Sequence, residues 1–203
     1  ARFSHLSIGV PGTVAGLIEA HRRFGSLPLT AVMAPAITLA SKGLMVTPGL
    51  ARNLLKRQKR LKKWPATAEI FFKPDLSPYQ AGDTLVQAHL GQSLSRIAAT
   101  SGQDFYKGET ARAIVAEMKR HGGLIDLGDL AAYRPVWRKP VEGTYRGHRV
   151  FSMPPPSSGG VHLVQMLNML EGIPLANYGH NGANAIHMMV ESMKRAYADH
   201  AAH

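Results

Sequence analysis

The sequence contains no cysteine. Disulfides and thiolate metal sites are therefore excluded, and the compartment is left open. No apolar run approaches the ~20 residues of a membrane-spanning helix. The opening Ala1-Arg-Phe-Ser-His5 has no charged head followed by an apolar stretch, so it does not read as a signal peptide. Acidic residues are scarce: 13 Asp and Glu stand against 24 Lys and Arg, a net charge of +11. Such a balance fits a nucleic acid, a membrane surface or an acidic partner. There is no internal repeat and no low-complexity tract. Two catalytic signatures are also missing: the zincin pattern His-Glu-x-x-His and the nucleophile elbow Gly-x-Ser-x-Gly.

What is present is enough for one domain with a core: 203 residues, 45% of them hydrophobic. The chain is organised around Val150-Phe-Ser-Met-Pro-Pro-Pro-Ser-Ser-Gly-Gly-Val161. Pro154, Pro155 and Pro156 fix φ and remove three backbone donors, which rules out helix and central strand. Ser157 or Ser158 can cap a following helix, and Gly159 and Gly160 permit close backbone approach. Residues 161–170 are apolar nearly all round and predict a buried helix, the most buried of the chain. Its N-terminus is a place for an anion, a carboxylate or a chain end.

Elsewhere the periodicity predicts short helices. His5–Gly9 reads as a strand, followed by the turn Val10-Pro-Gly-Thr13. Thr13 then caps a helix over 14–24, with Leu17, Ile18 and Phe24 inward and Gly25 closing it. A second helix over 30–40 carries Val32, Ala36, Ile37 and Ala40 on its apolar face and stops at Gly43. A third runs from Pro48 to about Lys63, with Leu50, Leu54 and Leu61 as its buried stripe. Its exterior carries Arg52, Lys56, Arg57, Lys59, Arg60, Lys62 and Lys63, read as a solvated face; only Trp64 stands nearby to read a base, so no nucleic-acid partner is expected. Lys73–Tyr79 is a polar loop. Further helices are expected over 85–100 (Leu90, Leu94, Ile97 and Ala98 inward) and 109–120 (Ala111, Ile114, Val115 and Met118 inward). A turn capped by Asp126 runs to Tyr133. Tyr145 and Val150-Phe151 flank Arg146-Gly147, a two-residue hairpin turn. A last helix starts at Asn181 or Asn184 with Ile186, Met189, Val190, Met193 and Tyr197 on one face. It has no capping residue before His203, the mark of a piece of something longer.

Met153-Pro-Pro-Pro-Ser-Ser-Gly-Gly160 resembles a signature of the γ-glutamyltransferase (glutathione hydrolase) family. Gly9-Val-Pro-Gly-Thr-Val-Ala-Gly16, Gly82-Asp-Thr-Leu-Val-Gln87, Gly122-Gly-Leu-Ile125, Asp129-Leu-Ala-Ala-Tyr133 and Ala196-Tyr-Ala-Asp199 follow the family's order. The resemblance implies a helix-rich α/β (α+β) part of an N-terminal-nucleophile hydrolase, whose fold is an αββα sandwich. Residues 1–203 are then one partial domain, internal to the large subunit and truncated at both ends. The precursor of such an enzyme cleaves itself into large and small subunits, so the implied partner is that small subunit in a heterodimer. The implied substrate is glutathione or a related γ-glutamyl amide, and the implied location is periplasmic or secreted. The implied reaction transfers the γ-glutamyl group to water or an amino acceptor through a γ-glutamyl-threonine ester. A related acylase, acting on a β-lactam side-chain amide, is the alternative. A non-catalytic module using the basic face of 52–63 is the rival from another class.

The resemblance also implies where the chemistry lies. The nucleophile is a threonine freed at a chain N-terminus, its amine serving as base. This chain starts with Ala1, and none of its threonines stands in a Thr-Thr-His stretch, so the nucleophile is expected downstream. The arginine for the substrate carboxylate is expected upstream; Arg2 lies too close to the glycine-proline turn to match it. The family's Ala-Tyr-Ala-Asp-Arg has His200 in place of the arginine, which loses a permanent charge and a bidentate fork. The match ends before Ala201-Ala-His203. Ser157 and Ser158 are assigned to helix capping, since neither has the elbow. His187 with Glu191, and Asp199 with His203, stand four apart, but without cysteine or paired spacing no metal site is expected. No catalytic or substrate-binding residue is therefore assigned in this chain, and no cofactor.

Overall fold

The computed structural model describes residues 4–202, with side chains up to Asp199. Ala1, Arg2 and His203, and the side chain of His200, lie outside the described residues. The chain forms two compact units, one up to Pro135 and one from Val136.

The first unit is mostly helical. It contains α1 (Thr13–Phe24), α2 (Leu29–Lys42), β1 (Leu44–Met45), α3 (Pro48–Leu61), α4 (Pro65–Phe71), β2 (Thr84–Leu85), α5 (Ala88–Thr100), α6 (Gln103–Lys107), α7 (Glu109–Arg120) and α8 (Leu127–Ala132). Strands β1 and β2 pair antiparallel, Leu44 opposite Leu85. The core is built on the face of α7 that its spacing predicts: Ala111, Val115 and Met118 pack with Ile125 and with Leu130 of α8. Helix α8 is held by a reciprocal capping box. Asp126 accepts from the Asp129 N–H at 2.8 Å, and Asp129 accepts from the Asp126 N–H at 3.1 Å.

Tyr106 ties this core to the glycine-proline turn. Its hydroxyl donates to the Pro11 carbonyl at 2.7 Å and accepts from the Ala15 N–H at 3.0 Å. Tyr133 stacks on it, ring planes 8° apart. A Cβ at Gly12 would lie 2.0 Å from the Tyr133 hydroxyl, so a side chain there would displace the Tyr133 ring from its stack on Tyr106. Burial, before any other cause, pushes the Tyr106 phenol above its ordinary value. Asp104 fastens the start of α7: its carboxylate accepts from the Glu109 N–H at 2.8 Å, from the Thr110 hydroxyl in a short bond, and faces Arg96 Nε at 3.3 Å. The Thr110 hydrogen bond, more than any other contact, holds the Asp104 carboxyl below its ordinary value.

Several expectations for this unit are corrected. Residues 5–7 form a 3₁₀ turn instead of a strand, because both the N–H and the hydroxyl of Ser7 bond the Ser4 carbonyl at 3.0 and 2.8 Å. Thr13 is the first residue of α1 and makes no cap; Gly12 precedes it. Leu17 and Phe24 are exposed, as are Val32, Ala36 and Leu90. The buried side of α2 runs through Met33 and Ile37 to Ala40. Leu85 belongs to a strand, and the helix starts only at Ala88. Pairing with β1, continued by the Val46 N–H to Asp83 carbonyl bond at 2.8 Å, captures it and buries Leu85 almost fully. Helices α4 and α6 were not foreseen. Helix α3 matches its prediction, capped by Thr47 and buried at Leu54, with a solvated basic exterior except that Lys62 packs over the Phe72 ring at 4.8 Å.

The second unit is a hairpin and two long helices: β3 (Val141–Tyr145), β4 (His148–Ser152), α9 (Gly159–Leu170) and α10 (Ala183–Ala202). Arg146 and Gly147 both take positive φ, 48° and 79°, the two-residue turn that the sequence predicts. Arg146 also pins the turn to the far end of α9. Its N–H bonds both oxygens of Glu171, at 2.8 and 3.0 Å, and its guanidinium donates to the Ile173 carbonyl at 2.8 Å. Gly143 faces Val164, where a Cβ would stand 2.6 Å from Val164 Cγ1. Helix α9 is less buried than expected. Gly160, His162 and Leu170 are buried, Val164 and Leu167 half-buried, and Val161 and Leu163 exposed. The hairpin and α10 cover parts of its surface and leave the rest open, so α7 is the more buried helix. Helix α10 turns inward on Ala185, Ser192 and Ala196, not on the larger residues expected. Small side chains let the helices approach, and Ile186, Val190, Met193 and Tyr197 are left as an exposed apolar stripe.

Three outcomes follow from this packing. Leu130→Ala should lower unfolding free energy by about 2–5 kcal/mol in a denaturant titration, since the side chain is fully enclosed. Asp104→Asn should flatten the acid limb of a melting-temperature profile. A depressed carboxyl stabilises the fold above its unfolded value near ~3.9 and loses that contribution as pH falls through the lower folded value. Gly160→Ala should destabilise the second unit by about 1–3 kcal/mol or more, because its Cβ would meet the Met153 carbonyl oxygen at 2.0 Å.

Candidate functional site

The proline segment builds one wall of a cleft in the second unit. Strand β4 ends at Ser152 and delivers the chain into Pro154–Pro156, where the Pro155–Pro156 bond is cis. The Ser157 N–H bonds the Pro154 carbonyl at 3.2 Å, closing a turn, and the His162 N–H bonds the Ser158 carbonyl at 3.0 Å to start α9. Gly160 brings that first turn against the Met153 carbonyl. The resulting cleft has a volume of about 560 Å³. Pro155, Pro156, Ser157 and Ser158 line one end, Val161, His162, Val164, Gln165 and Asn168 of α9 its floor, and Val141, Ala196 and Asp199 the remainder.

The polar groups of this cleft are few and of distinct kinds. His162 is buried and tilts against the Tyr197 ring, centroids 4.8 Å apart. The Gln165 carboxamide donates to the Asp199 carboxylate in a short hydrogen bond, joining α9 to α10. Ser158 is the N-cap residue of α9 but has helical backbone angles and offers no side-chain cap; Ser157 is exposed. The expected capping role of both serines is therefore corrected. The tight turn, and not a hydroxyl, sets the start of the helix. The uncapped first turn keeps the partial positive charge of a helix N-terminus at the end of an otherwise largely apolar cleft. Such an arrangement can bind and orient an acidic or amide-bearing group. Neither serine stands in an elbow that would expose it as a nucleophile.

Other residues singled out in the sequence lie elsewhere. His187 is exposed, and its neighbour Glu191 accepts from Lys194 Nζ at 2.6 Å and faces Arg195 at 3.6 Å. The Lys194 hydrogen bond holds the Glu191 carboxyl below its ordinary value. Asp199 accepts from Gln165, and its sequence neighbour at four residues, His203, lies outside the described residues. The basic residues of α3 surround a shallow depression of about 550 Å³ between Lys56, Arg57, Lys59, Arg60 and Lys63. His162, Gln165 and Asn168 were missed in the sequence. They stand in a run that reads as buried and apolar, and only the spacing 162, 165 gives a hint of a polar line along α9. Among the described residues no helix is long and apolar enough to cross a membrane.

Comparison with known proteins accounts for this arrangement. The γ-glutamyltranspeptidase family model matches residues 1–203. The chain is 46% identical over 196 residues to the glutathione hydrolase proenzyme of Escherichia coli (strain K12), covering 97% of this chain and 34% of that protein. It is 43% identical over 195 residues to the acylase ACY 1 proenzyme of Pseudomonas sp. (strain SE83), covering 96% of this chain and 35% of that one. The crystal structure of Helicobacter pylori γ-glutamyltranspeptidase superposes with a TM-score of 0.94 at 41% identity, over 97% of this chain and 56% of that chain. The chain thus spans about a third of the length of the curated relatives it matches. Its fold is a helix-rich α+β part of the N-terminal-nucleophile hydrolase architecture of those relatives. With the proline-serine-glycine segment, the glycine-proline turn and the capped α8 all in their expected order, the chain belongs to the γ-glutamyltranspeptidase family.

Proposed function

We propose that the chain is an internal part of the large subunit of a glutathione hydrolase, one partial domain of a self-cleaving precursor. In that enzyme the γ-glutamyl group of glutathione or a related amide passes to water or an amino acceptor through a γ-glutamyl-threonine ester. The observation that carries this reading is the 46% identity to a glutathione hydrolase proenzyme across nearly the whole chain. The nucleophilic threonine and the carboxylate-binding arginine belong to the parts of the precursor outside residues 1–203. The role of this chain is architectural: Pro154–Gly160 holds the α9 N-terminus and its cleft at the substrate site or at the junction with the small subunit. The apolar stripe Ile186, Val190, Met193 and Tyr197 is a surface of the kind that a partner subunit covers. The enzyme acts in the periplasm or outside the cell. A second reading, an acylase cleaving a β-lactam side-chain amide, is favoured by the 43% identity to acylase ACY 1.

The test is release of a chromogenic amine from a γ-glutamyl anilide. The precursor containing this chain should turn it over after self-cleavage, and purified residues 1–203 should not. In the precursor, Ser157→Ala should leave turnover and self-cleavage near wild type and shift stability by no more than about 0.5 kcal/mol, since the hydroxyl is exposed and caps nothing. Loss of turnover with normal processing would place Ser157 in the mechanism. Turnover of a β-lactam side-chain amide in preference to the anilide would establish the acylase reading instead.

A further inference from the structure

We propose that His5, Glu117 and His121 form a binding site for a divalent transition metal of the zinc class. The site belongs to the first unit and is independent of the function proposed for the chain. Glu117 and His121 are four apart in the last turn of α7 and at its C-cap, on the same side of the helix. His121 Nε2 stands 3.2 Å from Glu117 Oε1, and His5 Nε2 stands 3.7 Å from the same oxygen. One ligand atom from each residue lies within 4.8 Å of the others. Around a tetrahedral zinc-class ion with bonds of roughly 2.0–2.2 Å, neighbouring donors are separated by about 3.3–3.6 Å. Small side-chain rotations therefore bring all three donors to one ion.

The surroundings place the donors. The 3₁₀ turn at His5–Ser7 carries His5 against Gly123, where an added Cβ would stand 3.2 Å from His5 Cβ. The Trp64 ring meets His5 edge-on, centroids 6.3 Å apart. Arg120 Nη2 binds the other carboxylate oxygen, Glu117 Oε2, at 3.0 Å, which leaves Oε1 to the imidazoles. Arg120 tempers the affinity of the cluster without blocking Oε1. The two imidazoles stack with centroids 4.6 Å apart and planes 16° from parallel. Two imidazole nitrogens and one carboxylate oxygen are the donor set that zinc-class ions take, with a fourth position left to water. His5 is mostly covered and His121 and Glu117 are partly exposed, so an ion reaches the site from solution. The sequence conceals it: Glu117 and His121 match no zincin pattern, and the third ligand comes from the other end of the unit.

The test is titration of the chelator-stripped protein with Co²⁺, followed by its visible absorption, and then displacement by Zn²⁺. One equivalent per chain should bind and be displaced. His121→Ala and Glu117→Gln should each weaken binding at least about tenfold. His187→Ala, at the other exposed histidine four residues from a glutamate, should leave affinity unchanged. Melting temperatures without metal should stay near wild type in all three. Absence of a stoichiometric Co²⁺ complex overturns the proposal, as does equal affinity in wild type, His121→Ala and Glu117→Gln. Loss of binding in His187→Ala would assign the metal elsewhere and overturn it too.

Discussion

A missing Cβ decides the geometry of the second unit. At Gly160 the first turn of α9 lies directly on the Met153 carbonyl, an approach that no side chain permits. Because the end of β4 and the start of α9 touch there, the three prolines between them have room only for a tight turn. The same contact fixes where the helix N-terminus points relative to the hairpin. The opposite end is fixed by charge. Glu171 past the helix takes the Arg146 N–H of the hairpin turn on both carboxylate oxygens. Held at both ends, α9 presents His162, Gln165 and Asn168 along a cleft whose walls are prolines and a small-residue helix. The function proposed for the chain rests on this rigidity more than on any reactive group.

The first unit follows a different logic. One buried cluster is made by α7, Ile125 and α8, while Val46, Phe72 and Leu85 are enclosed elsewhere in the unit, and individual polar contacts pin the segments around them. Tyr106 reaches the Pro11 carbonyl and the Ala15 N–H, Asp104 ties α6 to the start of α7, and Asp126 with Asp129 closes α8. Two of the motifs that mark the family, Gly9–Gly16 and Asp129–Tyr133, meet at the Tyr106 and Tyr133 rings. Gly12 and Tyr133 of these motifs thus have a packing reason that needs no catalytic role.

Where local signals agreed with tertiary packing, the elements were legible. The α7 face, the Asp126 cap, the Arg146-Gly147 turn and the Pro48 start of α3 are set by neighbours a few residues away. The failures share one cause. An apolar residue says that it tolerates burial, not which partner will bury it. Leu85 looked helical until β1 claimed it, and Val32 and Phe24 looked inward although both are exposed. On α10 the larger apolar residues were expected inside, yet close approach to α9 selected alanine and serine. The site was legible as a segment, because Pro-Pro-Pro-Ser-Ser-Gly-Gly is unusual. It was not legible as a lining, because His162, Gln165, Ala196 and Asp199 gather only when two helices cross.

In the function proposed above, this chain is a scaffold that positions an acyl-transfer site without supplying its nucleophile. Covalent capture addresses that division of labour directly. The processed enzyme would be labelled with an electrophilic glutamine analogue, digested, and the adduct located by mass spectrometry. The account predicts a single adduct on a threonine outside residues 1–203, with every peptide spanning Pro154–Leu170 unmodified. An adduct on Ser157, Ser158 or any other hydroxyl of this chain would contradict it.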